Sequence, residues 1–312
     1  MKIVVTGGAG FIGSNLCARL AADDRVASVV AVDDLSNGFR ENLEGLDVEL
    51  VVGTILDPHL LDQTLDGASC VVHLAARGSV PKSVADPVET HSRNATGTLE
   101  VLQAARRAGG LHTIVASSSS VYGAVPDLPK HEDLATRPMS PYGVSKLASE
   151  WYALAFLHSY GLPTLAFRFF NVYGPRQPAG HAYAAVIPAW VSAALQCRTL
   201  VVNGDGKQSR DFTFVDAVTE VLTDAIHRRI VNDVPVNLAF GGSVTLLELI
   251  AKLEETVGRA LDVEHREARP GDVRHSTADP TRLYDLFPDI APVPFEEGLA
   301  KTVDWWRSEV GV

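Results

Sequence analysis

The first half of the chain alternates short, wholly apolar runs with longer amphipathic stretches. Residues 2–6 (KIVVT) form an apolar run that ends in glycines, and the amphipathic stretch SNLCARLAA follows. The runs at 28–34 (SVVAVDD), 48–53 (VELVVG), 69–76 (SCVVHLAA), 111–120 (LHTIVASSSS) and 162–170 (LPTLAFRFF) repeat the theme. Runs of this length without polar alternation read as strands buried on both faces, as in a parallel sheet. Helices are predicted near 58–65, 86–108 and 141–159. Strands alternating with helices predict an α/β protein with a Rossmann-type, doubly wound parallel sheet.

Beyond Asn171 the texture changes. Residues 171–183 (NVYGPRQPAGHAY) are rich in Gly, Pro and polar side chains and are expected to be loop. Later elements are shorter: 198–215 (RTLVVNGDGKQSRDFTFV), a helix near 215–228, 234–240 (VPVNLAF), helices near 245–257 and 279–286, and a terminal helix near 295–309. A smaller C-terminal lobe built from interleaved segments is expected.

A chain of 312 residues fits two lobes or one elaborated domain. Its composition, 46% hydrophobic and 21% charged, is ordinary for a globular protein. The formal net charge of −11 argues against binding to nucleic acid or to an anionic membrane, both of which want a basic face. A small anionic ligand held by a few arginines remains compatible. No apolar run approaches the ~20 residues of a membrane helix. The opening run reads as a strand rather than a signal peptide, so a cytoplasmic location is expected. Cys17, Cys70 and Cys197 stand far apart in apolar surroundings, with neither disulfide nor metal spacing. They are expected as buried free thiols, and no metal site is expected.

Candidate chemistry begins at residues 6–14 (TGGAGFIGS). Gly7, Gly10 and Gly13 are spaced by three, directly after a strand and opening a helix. A pyrophosphate can sit on that helix N-terminus only where backbone N–H groups approach without Cβ atoms in the way. A tight turn without ligand is the plain alternative. Asp33, twenty residues past Gly13, ends the second strand. A carboxylate there accepts hydrogen bonds from ribose hydroxyls and repels a 2′-phosphate, which points to NAD rather than NADP.

Tyr142 precedes Lys146 by four residues in SPYGVSK (140–146), so on a helix the two share a face. Free, they titrate near ~10 and ~10.4. An ammonium and a nicotinamide cation nearby are expected to lower the phenol's pKa. Tyr142 then takes a proton from a substrate hydroxyl while the cofactor takes hydride from the same carbon. An ordinary surface helix is the alternative reading of the pair. The serines of SSSSVYG (117–123) end the preceding strand, on the side where open α/β sheets bind ligands.

These motifs, with DDLSNG (33–38), HLAA (73–76), RFFNVYGPRQ (168–177) and RPGDVRHSTAD (269–279), resemble the extended short-chain dehydrogenase/reductase family. Within it the chain is similar to nucleotide-sugar epimerases of the UDP-glucose 4-epimerase type. The resemblance implies Tyr142 as catalytic base, Lys146 as its partner and a contact of the nicotinamide ribose, and Ser118 as the catalytic serine, with Ser119 as fallback. It implies NAD contacts at Gly7, Gly10, Phe11, Ile12, Gly13, Asp33, Asn37, Gly38, Thr54, Ile55, Leu74, Ala75, Ala76, Asn94 and Phe170. Sugar or diphosphate contacts are implied at Ser118, Ser119, Ser120, Tyr142, Asn171, Arg210, Arg269, Asp272 and Ser276. It places an NAD-binding domain at 1–170, joined by 212–240, and a nucleotide-sugar lobe at 171–211 and 241–312. One departure stands out. Relatives read Gly-Asp-Ile after the third strand, where this chain has Gly53, Thr54 and Ile55. Asp57 reads as a helix cap.

Family dehydratases carry an acid pair just after the catalytic serine or threonine, where this chain has Ser119 and Ser120, so dehydration is not expected. Epimerisation at C4 of a UDP-hexose through a transient 4-keto sugar is expected, with NAD retained. Ser276 is expected to line the sugar pocket and leave room for an N-acetyl group. UDP-glucuronate is the competing substrate, with Arg77, Lys82 and Arg176 as possible cations. A non-catalytic NAD-binding regulatory protein is the alternative from another class. The helices near 86–108 and 141–159 resemble those that pair across a homodimer.

Overall fold

The computed structural model describes residues 1–179, 185–268 and 274–310. The chain divides into two compact units. The first comprises residues 1–126, 132–169 and 219–238. It contains seven parallel strands: β1 (Lys2–Thr6), β2 (Ser28–Asp33), β3 (Glu49–Val52), β4 (Cys70–His73), β5 (His112–Ser118), β6 (Thr164–Phe169) and β7 (Val236–Leu238). They lie in the order β7-β6-β5-β4-β1-β2-β3. The chain runs outward from β1 to β3, then returns to the other side of β1 at β4. Ligands bind open α/β sheets beyond the carboxyl ends of the strands at such a reversal.

Burial on both faces explains the unbroken apolar runs. Val4, Val30, Val71, Val115 and Ala166 face one layer and pack with Leu61, Leu65, Val101, Leu102, Ala153 and Phe156. Those partners lie on helices α2 (Pro58–Leu65), α5 (Gly97–Arg107) and α6 (Pro141–Tyr160). Alternation sends Ile3, Val5 and Ala31 to the opposite face, also buried. Local signals set the helix ends. Asp57 caps α2, accepting from the backbone N–H of His59 (2.9 Å) and Leu60 (3.3 Å). Ser140 caps α6, Pro141 opens it, and Gly161 closes it at φ 67°.

The stretch expected as one helix over 86–108 is interrupted. Helix α4 (Pro87–His91) runs into a π-helical turn, Ser92–Thr96, before α5. Helix α3 (Val80–Ala85) was not anticipated, and neither was a helix at Val186–Leu195. Cys17 and Cys70 are buried free thiols, but Cys197 is exposed, which corrects that expectation. It sits just past the Val186–Leu195 helix at φ 54°, where the chain turns at the surface.

The second unit comprises residues 127–131, 170–218 and 239–312. Its sheets are small. Asn171–Tyr173, expected as loop, is a strand paired in parallel with Phe212–Phe214. The cause is an aromatic cluster. The Tyr173 ring lies 5.4 Å from that of Phe214 and 5.5 Å from that of Phe295, a burial that composition alone did not reveal. Ser209–Arg210 lies between Val244–Thr245 and His275–Ser276, with Arg210 opposite Ser276. Leu200–Asn203 pairs with Val263–Arg266. A capping box of Thr245 and Glu248 opens the helix Leu246–Val257. Among the described residues no helix is long and apolar enough to cross a membrane.

Candidate active site

The glycine loop lies between the ends of β1 and β4. Gly7 has φ 72°, and a Cβ there would stand 2.7 Å from the Ala75 backbone N. A Cβ on Gly13 would stand 2.1 Å from the Gly7 carbonyl, so the first turn of α1 (Phe11–Ala21) packs directly on the loop. Phe11 and Ile12 open that helix. Leu74, Ala75 and Ala76 continue β4; the Leu74 N–H donates to the Thr6 carbonyl at 3.0 Å. The loop therefore presents backbone rather than side chains, as a pyrophosphate cradle requires.

Asp33 is buried beside it. Its Oδ2 accepts from Ala9 N–H (3.0 Å) and its Oδ1 from Leu35 N–H (2.9 Å). Burial pushes its pKa up, and those N–H groups oppose the rise. The carboxylate braces the loop and retains lone pairs for a ribose. Gly38 packs against it, since a Cβ there would meet both carboxylate oxygens at 2.9 Å. The Asn37 side-chain oxygen accepts from Lys82 Nζ at 2.9 Å. The Thr54 hydroxyl accepts from Leu56 N–H at 3.2 Å. Ile55 turns into the core, where it would meet any Cβ on Gly97. Phe170 is buried and belongs to the second unit.

Tyr142 and Lys146 lie one turn apart on α6. A Cβ on Gly143 would stand 2.9 Å from the Ser120 carbonyl, so only glycine lets the helix approach the serine loop this closely. The Tyr142 N–H donates to Ser83 Oγ at 3.0 Å, which ties the first turn to α3. Ser118 lies beside the Tyr142 phenol, close enough to favour its ionised form. Its own Oγ also lies 3.1 Å from Ser120 Oγ. The lowering expected for Tyr142 belongs to the site with the nicotinamide cation in place; the chain alone shows the opposing influence. Burial pushes the phenol's pKa up, and Ser118 pulls it the other way. Lys146 is 3% exposed, and no described residue hydrogen-bonds its ammonium. Burial brings its pKa down to about 8, against the pull of Glu150.

Strand alternation splits the serines. Ser118 faces the phenol, whereas Ser117 points away and donates to Glu150 Oε2 at 2.8 Å. Arg168 of β6 grips the same carboxylate with two hydrogen bonds, 2.9 and 2.7 Å, and donates to the Glu132 carbonyl at 3.2 Å. Its guanidinium lies 4.8 Å from the centre of the Tyr122 ring. Burial of Arg168 would lower its pKa, but the Glu150 hydrogen bonds carry it upward overall.

A second buried network was invisible in the sequence. Asn94, on the π turn, accepts from Arg77 N–H (2.7 Å) and donates to Ser145 Oγ (2.9 Å), whose hydroxyl bonds the Tyr142 carbonyl (2.8 Å). The Asn94 carbonyl accepts from Thr98 Oγ1 at 2.6 Å. With that proton committed, Thr98 accepts from His73 Nε2 (2.9 Å), and His73 Nδ1 accepts from the Thr6 hydroxyl (2.7 Å). Burial, reinforced by Lys146, brings the His73 pKa down to about 3, so the ring is neutral. Threonines and a histidine inside apolar strands carry no periodic signal. Only the fold brings β1, β4, the π turn and α6 together.

The model of the NAD dependent epimerase/dehydratase family matches residues 3–239. The protein belongs to that family. It is 37% identical to a UDP-glucose 4-epimerase of Mycolicibacterium smegmatis over 315 aligned residues, 99% of each chain. It is similar to a UDP-N-acetylglucosamine 4-epimerase of Methanobrevibacter ruminantium solved with UDP-N-acetylmuramic acid. That match has a TM-score of 0.93 and 36% identity, covering 99% of this chain and 98% of the other. The UDP-glucose 4-epimerase of Thermus thermophilus, solved with NAD, aligns at TM-score 0.88 and 33% identity over 98% and 99% of the two chains.

NAD is the cofactor of this epimerase/dehydratase family member, and its residues fit the role. Burial disfavours the charge of the Lys146 ammonium, which no described residue hydrogen-bonds, and ribose hydroxyls would satisfy it. The side-chain-free loop suits a diphosphate.

Within the second unit, this family member places Asn171 and Arg210 around Asp211. Asn171 Nδ2 donates to the Asp211 carbonyl at 3.2 Å. The Asp211 carboxyl accepts from Gly241 and Ala278 N–H groups, each at 3.1 Å, and burial pushes its pKa up to about 6. Arg210 Nη1 donates to the Ser209 carbonyl at 2.9 Å. Ser276 is half-buried opposite Arg210 and does not cap the helix Thr281–Leu286; the residue before that helix is Pro280. Arg269 and Asp272 lie outside the described residues.

Proposed function

We propose that the protein is a UDP-sugar 4-epimerase acting on UDP-hexoses, with the first unit holding NAD and the second the sugar nucleotide. The observation that carries this is the buried Tyr142 phenol beside Ser118, one turn from a Lys146 ammonium that no described residue hydrogen-bonds, with serines rather than carboxylates at 119 and 120. Bound NAD supplies a hydride acceptor and, while oxidised, a positive charge beside the phenol. Lys146 holds the nicotinamide ribose and adds positive charge that favours the phenolate. Tyr142 accepts the C4 hydroxyl proton, relayed or oriented by Ser118, and returns it after the 4-keto sugar has turned over. Arg210 contributes to the hold on the diphosphate, and Asn171 orients the sugar.

Ser276 leaves room for a C2 acetamido group, so UDP-N-acetylhexosamines are accepted as well. A tyrosine there would overpack the pocket by ~1–3 kcal/mol, roughly ten- to a hundredfold for those substrates. The test is incubation of purified protein with a panel of UDP-sugars, without added NAD, and separation of the C4 epimers. Turnover of UDP-glucuronate with none of UDP-glucose would replace the hexose reading. NAD release on denaturation with no turnover at all would leave a cofactor-binding protein.

The enzyme is also proposed to be a homodimer. Helices α3, α4 and α6 expose Val84, Val88, Val144 and Trp151 at 66%, 78%, 52% and 59%. Val144 also lines a groove with Pro87, His91, Met139 and Pro141. Light scattering at micromolar concentration checks this, and a monomeric mass would count against it.

A further inference from the structure

Asp33 is not the only charge beside the ribose end of the glycine loop. Arg93, on the π turn, donates from Nη1 to Asp34 Oδ2 and to Ser36 Oγ (3.0 Å), and from Nε to Glu89 Oε1. Its guanidinium is thus held on the segment that follows β2, against the residue next to Asp33. An arginine in this position is what a dinucleotide site uses to accept a 2′-phosphate. Here it is matched from two directions. Arg93, Asp34 and Glu89 are all partly exposed, at 34%, 30% and 42% of their side chains. With Asp33 and Lys82, the corner carries three carboxylates against two cations.

We infer that Asp34 and Glu89 are specificity residues for the cofactor, neutralising Arg93 so that it serves a 2′-phosphate poorly. A 2′-phosphate brings up to about two negative charges beside the carboxylates of Asp33, Asp34 and Glu89. The Nη1 and Nε donors of Arg93 are committed to the two carboxylates, so a 2′-phosphate would have to compete with them for the guanidinium's charge. Asp33 therefore shares the discrimination with a caged arginine, and removing Asp33 alone leaves the cage in place. The inference rests on the dinucleotide site and not on the sugar chemistry, and binding is its readout.

The full chain, wild type and variants, is equilibrated with equal NAD and NADP, and the bound nucleotides are counted by native mass spectrometry. The wild type, retaining NAD, is the control for the site itself. The double variant D34N/E89Q should shift the bound NADP-to-NAD ratio by roughly tenfold, the size of one charge-assisted hydrogen bond. Adding R93A should return the ratio to the wild-type value. Thermal melting checks that the fold is intact, and the single variants D34N and E89Q repeat the test at smaller amplitude if the double variant melts early. An unchanged ratio in folded variants would overturn the inference. So would a gain that survives R93A but is lost with K82A, which would make Lys82 the phosphate ligand.

Discussion

Two cations are buried beside α6, and they are held in opposite ways. Arg168 has a bidentate carboxylate, a carbonyl and an aromatic face, and its charge is secured. Lys146, four residues before Glu150 on the same helix, is equally buried but has no hydrogen-bond partner among the described residues, and its pKa falls to about 8. A buried charge with a full set of partners holds a structure together, and one without them is available to a ligand. The two sites share Glu150, so they contrast partner geometry rather than surroundings.

The contrast is broken most severely at the reactive end. Tyr142→Phe should slow epimerisation by ~10²–10⁴-fold with NAD still bound, read by epimer separation and nucleotide release. Near-normal turnover would remove Tyr142 from the mechanism. At the satisfied end, Arg168→Met should leave Glu150 buried and unpaired and cost about 3–5 kcal/mol in denaturant unfolding. The double variant with Glu150→Gln should recover part of that loss.

Lys146→Met sharpens the comparison because it should do the reverse of Arg168→Met. NAD retention is lost, yet the nucleotide-free chain gains up to roughly 3 kcal/mol at pH 7. The folded pKa, about 8, lies below the ordinary 10.5, so the unfolded chain binds this proton more tightly. The penalty is full below pH 8 and fades as pH rises toward 10.5. Wild type and variant should converge in stability across that window, as urea unfolding at a series of pH values would show. The smallest expected effects come from two neighbouring serines. Ser117→Ala should cost ~1 kcal/mol of stability and little rate, whereas Ser118→Ala should cost ~tenfold in rate and little stability. Equal effects of the two would mean that strand alternation does not divide them.

Much of this was legible in the chain. Each strand of the sheet core was marked by its apolar run, since burial on both faces forbids polar alternation. Asp57 was readable as a cap, and the glycines as a side-chain-free loop. The π turn was not readable, because Ser92–Thr96 carries ordinary helical residues. The strand at Asn171–Tyr173 was hidden by the Gly and Pro that follow it. Ser117 and Ser118 were indistinguishable in SSSS until the strand fixed which way each points.

The sequence by itself determined the sheet, the glycine loop and the tyrosine–lysine face, because these depend on spacing within one element or across one turn. Tertiary structure decided which charges are partnered. Glu150 meets Arg168 because α6 packs on β5 and β6. Arg93 meets Asp34 because the π turn lies against the segment after β2. In the chain without its cofactor the pKa of the Tyr142 phenol is raised because burial outweighs the influence of Ser118. Burial and long-range pairing set a charge's free energy, and neither is encoded in local periodicity.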